Sequence, residues 1–210
     1  DFFADFLGGP GALPVNNPNG DWSYLATGDA DPASPTTVPT DGGNPNTFGI
    51  GSGWAEDPGG VPSYARSGAF NLNGIGQEGI GMAGHGPTRI VWTAPDDINL
   101  GGVALEGYIR QQNFEPARQM QLRIYKNDIE GNGTPLVTVD ADFNTQLNLV
   151  PFSGTQVSIS PGDTLTTFVD GLGPMGDGVA TFSQWDVIIT EVEIVGLPGD
   201  FNNDGTVNAA

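Results

Sequence analysis

The sequence predicts an all-β protein, an antiparallel β-sandwich or jelly roll with long Gly/Pro/Asn-rich loops and a short C-terminal calcium-loop segment. Its 210 residues include 33 Gly and 17 Pro, a turn-rich composition that suits short strands better than helices. From residue 88 onward, runs of β-branched and aromatic residues alternate with polar ones and are separated by turn residues. We therefore expect two packed sheets in one domain spanning residues 21–195.

Residues 1–20 are expected to form an extended N-terminal segment. Four large apolar side chains precede a Gly-Pro hinge, and they would be unfavourable if exposed in a monomer. They either fold back on the sandwich or add as a strand to the sheet edge of a neighbouring molecule. These candidate assembly residues are Phe2, Phe3, Phe6 and Leu7.

Residues 21–87 are dense in Gly, Pro, Asn and Asp, so compact turns and loops are expected there. Short apolar pieces at 22–25, 47–50 and 69–72 are candidate strands. Gly74, Gly76 and Gly79 match the spacing of a dinucleotide-binding fingerprint, but no βαβ pattern surrounds them. We interpret this stretch as a glycine-rich loop.

Eight strand-like runs follow residue 88. In one of them Met120, Leu122 and Ile124 alternate with polar residues, which is typical of an antiparallel strand with one buried face. The runs cover 89–93, 103–111, 119–126, 136–141, 147–152, 156–159, 164–169 and 181–195. Residues 127–134 have the early spacing of a calcium loop from Asp128, but the twelfth position is Val139 in a strand, so a plain hairpin turn is favoured.

Residues 196–210 combine a short linker with the strongest motif of the chain, Asp200-x-Asn202-x-Asp204-Gly205-Thr206-x-Asn208. Oxygen ligands at loop positions 1, 3, 5, 7 and 9 and a Gly at position 6 form an EF-hand-type set for Ca²⁺. The candidate metal ligands are Asp200, Asn202, Asp204, Thr206 and Asn208. The sequence ends at loop position 11, so we expect occupancy to depend on a ligand from elsewhere.

This motif resembles a dockerin type I repeat. Such repeats usually occur in pairs and dock onto a cohesin domain, so the resemblance implies an anchoring or assembly module on an extracellular scaffold protein. It covers only the last eleven or so residues.

Charge and composition exclude several classes of partner. The formal net charge is −19, with six Lys and Arg in total, so no basic surface is available for nucleic acid or anionic lipid. The sequence has no cysteine, no apolar run long enough to span a bilayer, and begins with Asp1 rather than Met. We expect a mature protein that is secreted or held at the cell surface.

Catalysis is not expected from this sequence. His85 is the one histidine, and it lies in a Gly/Pro loop without a nucleophile motif, so neither a Ser/His/Asp triad nor a zinc site is supported. Aromatic residues in the loop-rich half offer a different chemistry, because an exposed ring stacks on the face of a sugar. The candidates for sugar contact are Trp22, Tyr24, Trp54 and Tyr64, with packing in the core as the open alternative. Trp92, Tyr108 and Trp185 fall on strands and are expected in the core.

Four segments give the chain a wider family likeness: Asp21-Trp-Ser-Tyr24, Val91-Trp-Thr-Ala-Pro95, Arg123-Ile-Tyr-Lys-Asn-Asp128 and Pro161-Gly-Asp-Thr-Leu-Thr-Thr-Phe-Val169. Together they resemble bacterial secreted jelly-roll modules of carbohydrate-binding type that precede dockerin-like tails. The resemblance implies non-catalytic binding or display.

Two functions follow. The first is a calcium-stabilised structural or adhesive subunit that assembles with itself, through sandwich ends and termini, into a surface layer or filament. The alternative is a secreted carbohydrate-binding module, with a polysaccharide as partner, anchored through the dockerin-like tail.

Overall fold

A computed structural model of the chain describes residues 18, 20–25, 32–33, 38–40, 53–55, 64–72, 75–84, 88–111, 119–141, 149–172 and 181–194. Within these ranges all regular structure is β-strand, in twelve strands. The strands are β1 (Trp22–Leu25), β2 (Val38–Thr40), β3 (Gly53–Ala55), β4 (Tyr64–Leu72), β5 (Ile75–Gly84), β6 (Thr88–Thr93), β7 (Gly101–Gln111), β8 (Gln119–Lys126), β9 (Val137–Ala141), β10 (Val150–Ser158), β11 (Thr164–Leu172) and β12 (Thr181–Glu193).

The strands form two antiparallel sheets. One has the order β1-β6-β11-β8-β9 and the other β10-β7-β12-β5-β4-β3-β2. From β5 to β12, consecutive strands cross between the sheets at every step except the β8–β9 hairpin. This arrangement of eight strands as β5-β12-β7-β10 facing β6-β11-β8-β9 is a jelly roll, which confirms the predicted sandwich. β1 extends one sheet, and β4, β3 and β2 extend the other.

The core lies between the two sheets, where each strand presents alternate residues. The largest fully buried side chains come from both layers: Ile90, Leu105, Ile109, Leu122, Ile124, Leu165 and Trp185. The predicted alternation of Met120, Leu122 and Ile124 is confirmed, because all three are buried in this cluster. Burying each such side chain contributes about 1.5–3 kcal/mol before the entropic cost of ordering it.

The five-stranded sheet is also covered on the side away from the core. Tyr125 and Phe168 are buried there and meet edge to face, with ring centroids 5.4 Å apart. The loop between β8 and β9 lies over these rings, because Gly131 is so close to Phe168 that a side chain would collide with the ring. A salt bridge of 2.9 Å between Arg89 and Glu130 ties the loop to β6. This face of the sheet is thus occupied by the protein itself.

The loop after β8 is a hairpin loop, as predicted. Asp128 Oδ1 accepts a hydrogen bond from the Gly131 amide at 2.8 Å, and Oδ2 accepts one from the Gly133 amide at 2.7 Å. Both carboxylate oxygens are therefore used by the backbone of the loop. These contacts lower the pKa of Asp128, with the Gly133 amide as the largest cause.

A second carboxylate joins three segments at the same end of the sandwich. Asp163 Oδ2 forms a 3.0 Å salt bridge with Lys126 and accepts the Ser160 amide at 2.9 Å, while Oδ1 accepts Asn127 Nδ2 at 2.8 Å. Burial raises the pKa of Asp163, but the hydrogen bonds and the charge of Lys126 outweigh it, so the net shift is downward.

Three sequence predictions need correction. The predicted glycine-rich loop is wrong, because Gly76 and Gly79 lie within β5, which pairs with β4 and β12. Glycine has low strand propensity, but ladders on both sides hold the strand in place. β2 and β3 lie in the region predicted as loops, and the two runs predicted at 147–152 and 156–159 form the single strand β10, with a register shift between Phe152 and Thr155.

The predicted strand at 47–50 and the domain boundaries at 20 and 195 lie outside the described residues, or at their edge, and stay predictions. In the part of the chain that the structure covers, no helix has the length and hydrophobicity to cross a membrane.

Candidate ligand-binding face

The structure tests one of the four predicted aromatic contacts. Trp22 is 3% exposed and belongs to the core cluster, so it is a core residue rather than a ligand contact. Its alternation along β1 turns it toward Trp92 and the opposite sheet. Tyr24, Trp54 and Tyr64 lie on β1, β3 and β4, and their side chains are not among those described.

The predicted calcium ligands and assembly residues lie outside the described ranges, so they stay predictions. They are Asp200, Asn202, Asp204, Thr206 and Asn208, and Phe2, Phe3, Phe6 and Leu7. Among the residues that the structure does describe, no group of three or more His, Cys, Asp or Glu side chains is placed to hold a metal ion.

Polar and ionisable side chains lie together on a different surface, the side of the seven-stranded sheet that points away from the core. This side is here called the outer face. On β7, Leu105 and Ile109 point into the core. Glu106, Tyr108 and Arg110 have the opposite parity along the strand and therefore belong to the outer face. On β12 the outer face includes Asp186, which pairs directly with Tyr108.

Two ionisable side chains on this face are buried outside the hydrophobic core. Arg110 is 3% exposed and Asp186 is 6% exposed. Burial lowers the pKa of Arg110, while the neighbouring Tyr108 acts in the opposite direction. The Asp186 carboxylate is oriented by its Oδ1, which accepts the Val187 amide at 2.8 Å. Burying a charged group costs free energy. Buried charged groups that lie outside the core are found most often at functional sites.

The register extends this face across neighbouring strands. Arg110 pairs with Gln184, Gln184 with Gly81, Gly81 with Arg66, and Arg66 with Gly53. Directly paired residues lie on the same side of a sheet, so these five positions form one row of the outer face, here called the arginine row.

Glycines recur at outer-face positions of the central strands. Gly53 and Gly81 lie in the arginine row, and the pair Gly68 and Gly79 lies two positions further along β4 and β5. A glycine in a strand weakens it, and it often marks a place where a ligand or another backbone approaches closely. The outer-face positions 68, 79 and 81 of β4 and β5 therefore carry no side chain, whereas Gln184 and Arg66 lie in the same part of the face.

Sequence reasoning missed this site. It expected Tyr108 in the core, but Tyr108 is half-buried and has the opposite parity to Leu105 and Ile109. The signal was available, since Glu106, Tyr108 and Arg110 alternate with apolar residues along one run. What the alternation did not reveal is that Arg110 is buried, which depends on the tertiary fold.

A separate surface feature lies at the end of the sandwich where β1 begins and β6 ends. It is a solvent-open cleft of about 410 Å³ whose lining includes Asp21, Ser23, Thr93 and Asp96. The Ser23 hydroxyl donates to the Pro32 carbonyl at 2.7 Å. Its lining is of small and acidic side chains, without a described aromatic ring, which makes it a poorer sugar site than the outer face.

No protein-family model matches the chain, and no curated protein matches it either. Among solved structures, it is similar to the carbohydrate-binding module TmCBM61 in complex with β-1,4-galactotriose, with 10% identity and a TM-score of 0.37 over 60% of this chain and 81% of that one. It is also similar to the CBM22-1 xylan-binding domain from Paenibacillus barcinonensis, with 11% identity and a TM-score of 0.32 over 87% of this chain and 97% of that one.

An exo-β-1,3-galactanase from Phanerochaete chrysosporium, solved with galactose, has 15% identity and a TM-score of 0.31, over 66% of this chain and 29% of that one. At such low identities and TM-scores, the chain's own residues must carry its functional interpretation.

Proposed function

We propose that the protein is a non-catalytic, extracellular carbohydrate-binding module that binds a polysaccharide across its outer face. One observation carries the proposal: the exposed Glu106 and the half-buried Tyr108 lie on the outer side of β7, in a sheet whose β5 positions on that side include Gly79 and Gly81. Of the two functions that the sequence suggested, this is the alternative, and the outer face offers a candidate surface for it.

The chemistry of the face suits a sugar chain. The exposed carboxylate of Glu106, two residues from Tyr108 on the same side of β7, offers acceptors for the hydroxyl groups of a pyranose. The Tyr108 ring supplies an apolar surface and a hydroxyl at one position. The glycine positions let a flat, extended oligosaccharide approach the backbone, where a larger side chain would hold it away.

Affinity electrophoresis through gels containing single soluble polysaccharides tests the proposal. Wild-type protein is expected to be retarded by at least one of them, and Tyr108→Ala is expected to weaken that affinity about tenfold, which corresponds to about 1.4 kcal/mol. Thr138→Ala is the matched control, because Thr138 is exposed on β9 of the opposite sheet. Equal retardation of Tyr108→Ala and wild type, or no retardation in any gel, would overturn the proposal.

The proposal includes Ca²⁺ binding by the C-terminal loop. The oxygen ligands from Asp200 to Asn208 have the spacing of a calcium loop, and their resemblance to a dockerin repeat makes this segment the candidate anchor. Titration calorimetry with CaCl₂ tests this: weak binding is expected from wild type, because a further ligand has to come from elsewhere, and no binding from Asp200→Ala. Assembly through Phe2, Phe3, Phe6 and Leu7 stays a prediction from the sequence.

A further inference from the structure

The loop between β8 and β9 contains a chemically reactive pair of residues, Asn132-Gly133. Both residues are exposed to solvent. In an Asn-Gly pair the backbone nitrogen of the glycine can attack the side-chain carbonyl carbon of the asparagine, because glycine has no Cβ that hinders the approach. Asparagine is for this reason a thermolabile residue. The rate of the reaction depends on how freely the Gly133 nitrogen can move.

The reaction is a deamidation in two steps. The Gly133 nitrogen forms a bond to Asn132 Cγ and the Cγ–Nδ2 bond breaks, so that Nδ2 leaves as ammonia with the proton that the Gly133 amide gives up. The product is a cyclic imide. Water then adds to one of its carbonyl carbons: opening at Cγ gives aspartate, and opening at the backbone carbonyl carbon gives isoaspartate, in which the main chain runs through the side chain. Water is the only co-reactant.

The Gly133 nitrogen is held by Asp128. Its N–H donates to Asp128 Oδ2 at 2.7 Å, and the Gly131 N–H donates to Oδ1 at 2.8 Å. These two amides flank Asn132, so one carboxylate fixes the backbone on both sides of the reactive residue. The amides of Glu130 and Asn132 also contribute to the lowered pKa of Asp128, which places four consecutive N–H groups around this carboxylate.

The hydrogen bond to Asp128 opposes the attack in two ways. The Gly133 nitrogen must give up its proton as it becomes a nucleophile, and a carboxylate stabilises the N–H while it repels a nitrogen that gains negative charge. The backbone of Asn132 must also rotate to bring the nitrogen onto Cγ, and the contacts on both sides prevent this rotation. Deamidation in the folded protein therefore requires an opening of the loop that breaks the hydrogen bond.

We propose that Asn132 is a site of spontaneous deamidation and that Asp128, as a positioning residue, suppresses the reaction by holding the Gly133 amide. This inference is independent of the proposed glycan binding. The products would disturb the loop that covers Tyr125 and Phe168. Aspartate would add a second negative charge close to the Asp128 carboxylate, and isoaspartate would lengthen the main chain before Gly133 by a methylene group.

Peptide mapping by mass spectrometry during incubation at neutral pH tests the inference. The conversion of Asn132 is followed separately from that of the other Asn-Gly pairs in the sequence, Asn19-Gly20 and Asn73-Gly74. The folded wild type is expected to convert Asn132 at least about tenfold more slowly than the same chain unfolded in guanidinium chloride, and Asp128→Ala should raise the folded-state rate about tenfold. This factor is about what a hydrogen bond to a charged group contributes to an opening equilibrium.

Two further variants separate the hydrogen bond from general stability. Asp128→Asn keeps the size of the side chain and removes its charge, so it should also raise the rate, and it serves if Asp128→Ala does not fold. Gly154→Ala is the matched control, because it destabilises the protein through the backbone of β10, in the other sheet, where φ is 83°. Its rate at Asn132 should stay within about twofold of wild type, since local opening of the loop does not depend on β10.

Three results would overturn the inference. Wild type that converts Asn132 as fast as the unfolded chain would show that the loop does not protect it. A rate in Asp128→Ala and Asp128→Asn that is equal to or below that of wild type would show that the carboxylate does not suppress the attack, and a lower rate would make it a general base instead. An acceleration in Gly154→Ala as large as that in Asp128→Ala would assign the reaction to global unfolding.

Discussion

Asp128 shows how a single carboxylate organises the loop between β8 and β9. Its two oxygens accept the amides of Gly131 and Gly133, which have no partner in a strand ladder. Removing an acceptor from such amides costs about 1–3 kcal/mol where the donors stay buried, and less where water replaces it. We therefore expect Asp128→Ala to lower the free energy of unfolding by about 1 kcal/mol at pH 7, measured by urea denaturation.

The contribution of Asp128 to the free energy of unfolding depends on pH. The Gly133 amide, opposed by burial and helped by the neighbouring amides, holds the pKa of Asp128 below its ordinary value. A lowered pKa in the folded state means stability that is present above the ordinary Asp range, near pH 4, and lost as pH falls through the folded pKa. The difference in stability between wild type and Asp128→Ala should shrink between about pH 4 and pH 2. A difference that is constant over this range would contradict the account.

Asp163 acts between segments instead of within one loop. It holds Lys126 and Asn127 at the end of β8 and Ser160 in the turn before β11. A double-mutant cycle of Asp163→Ala and Asn127→Ala is expected to show a coupling energy of about 1 kcal/mol in the free energy of unfolding. Gln121→Ala and Asp140→Ala, an exposed pair on β8 and β9, are the control cycle, with a coupling of about 0.5 kcal/mol or less. Equal coupling energies in the two cycles would contradict a role for Asp163 in holding these two segments together.

At the scale of the element, β7 depends on a glycine in its middle. A methyl group on Gly107 would collide with the Asp186 carbonyl and with the Phe152 ring, both of which lie on neighbouring strands. We expect Gly107→Ala to destabilise the protein by about 2 kcal/mol or more, as overpacking does, and to lower the melting temperature.

Gly154 is the matched comparison on the adjacent strand β10. A Cβ added at Gly154 would meet open space, but its φ of 83° disfavours any side chain, so Gly154→Ala should cost about 1 kcal/mol. A larger loss from Gly154→Ala than from Gly107→Ala would contradict the packing described for β7.

The strands also show what a sequence can and cannot reveal. β6, β7, β8, β9, β11 and β12 were predicted because their apolar and polar residues alternate with the period of a half-buried strand. β5 was missed, because glycines at 76, 79, 81 and 84 leave too few side chains to form a pattern, and only pairing with β4 and β12 defines it. The outer face was missed for a related reason, since the arginine row joins residues more than 40 positions apart through register alone.

At the scale of the whole molecule, the core between the two sheets is the main source of stability. Leu105 is fully buried between the layers, whereas Leu149, just before β10, is 45% exposed. We expect Leu105→Ala to lower the free energy of unfolding by about 3 kcal/mol, from lost burial and the cavity left behind. Leu149→Ala, with the same change in composition, should cost about 0.5 kcal/mol or less. Similar losses in the two variants would argue against the placement of the core.

The outer sides of the two sheets differ. The five-stranded sheet is covered on both sides, by the core and by the loop between β8 and β9, while the seven-stranded sheet carries the arginine row and Tyr108 on its outer face. The sequence predicted the sandwich and the polysaccharide alternative, but it placed sugar contacts at Trp22, which the fold uses in the core.

Mapping of backbone amide chemical shifts during titration with a bound polysaccharide fragment tests the central claim most directly. Saturation with the fragment is predicted to shift amides of β4, β5, β7 and β12, with the largest changes near Glu106 and Tyr108, and to leave β8 and β9 unchanged. Shifts that instead concentrate on β8 and β9, or at the cleft near Asp21 and Thr93, would contradict the assignment of the outer face as the binding surface.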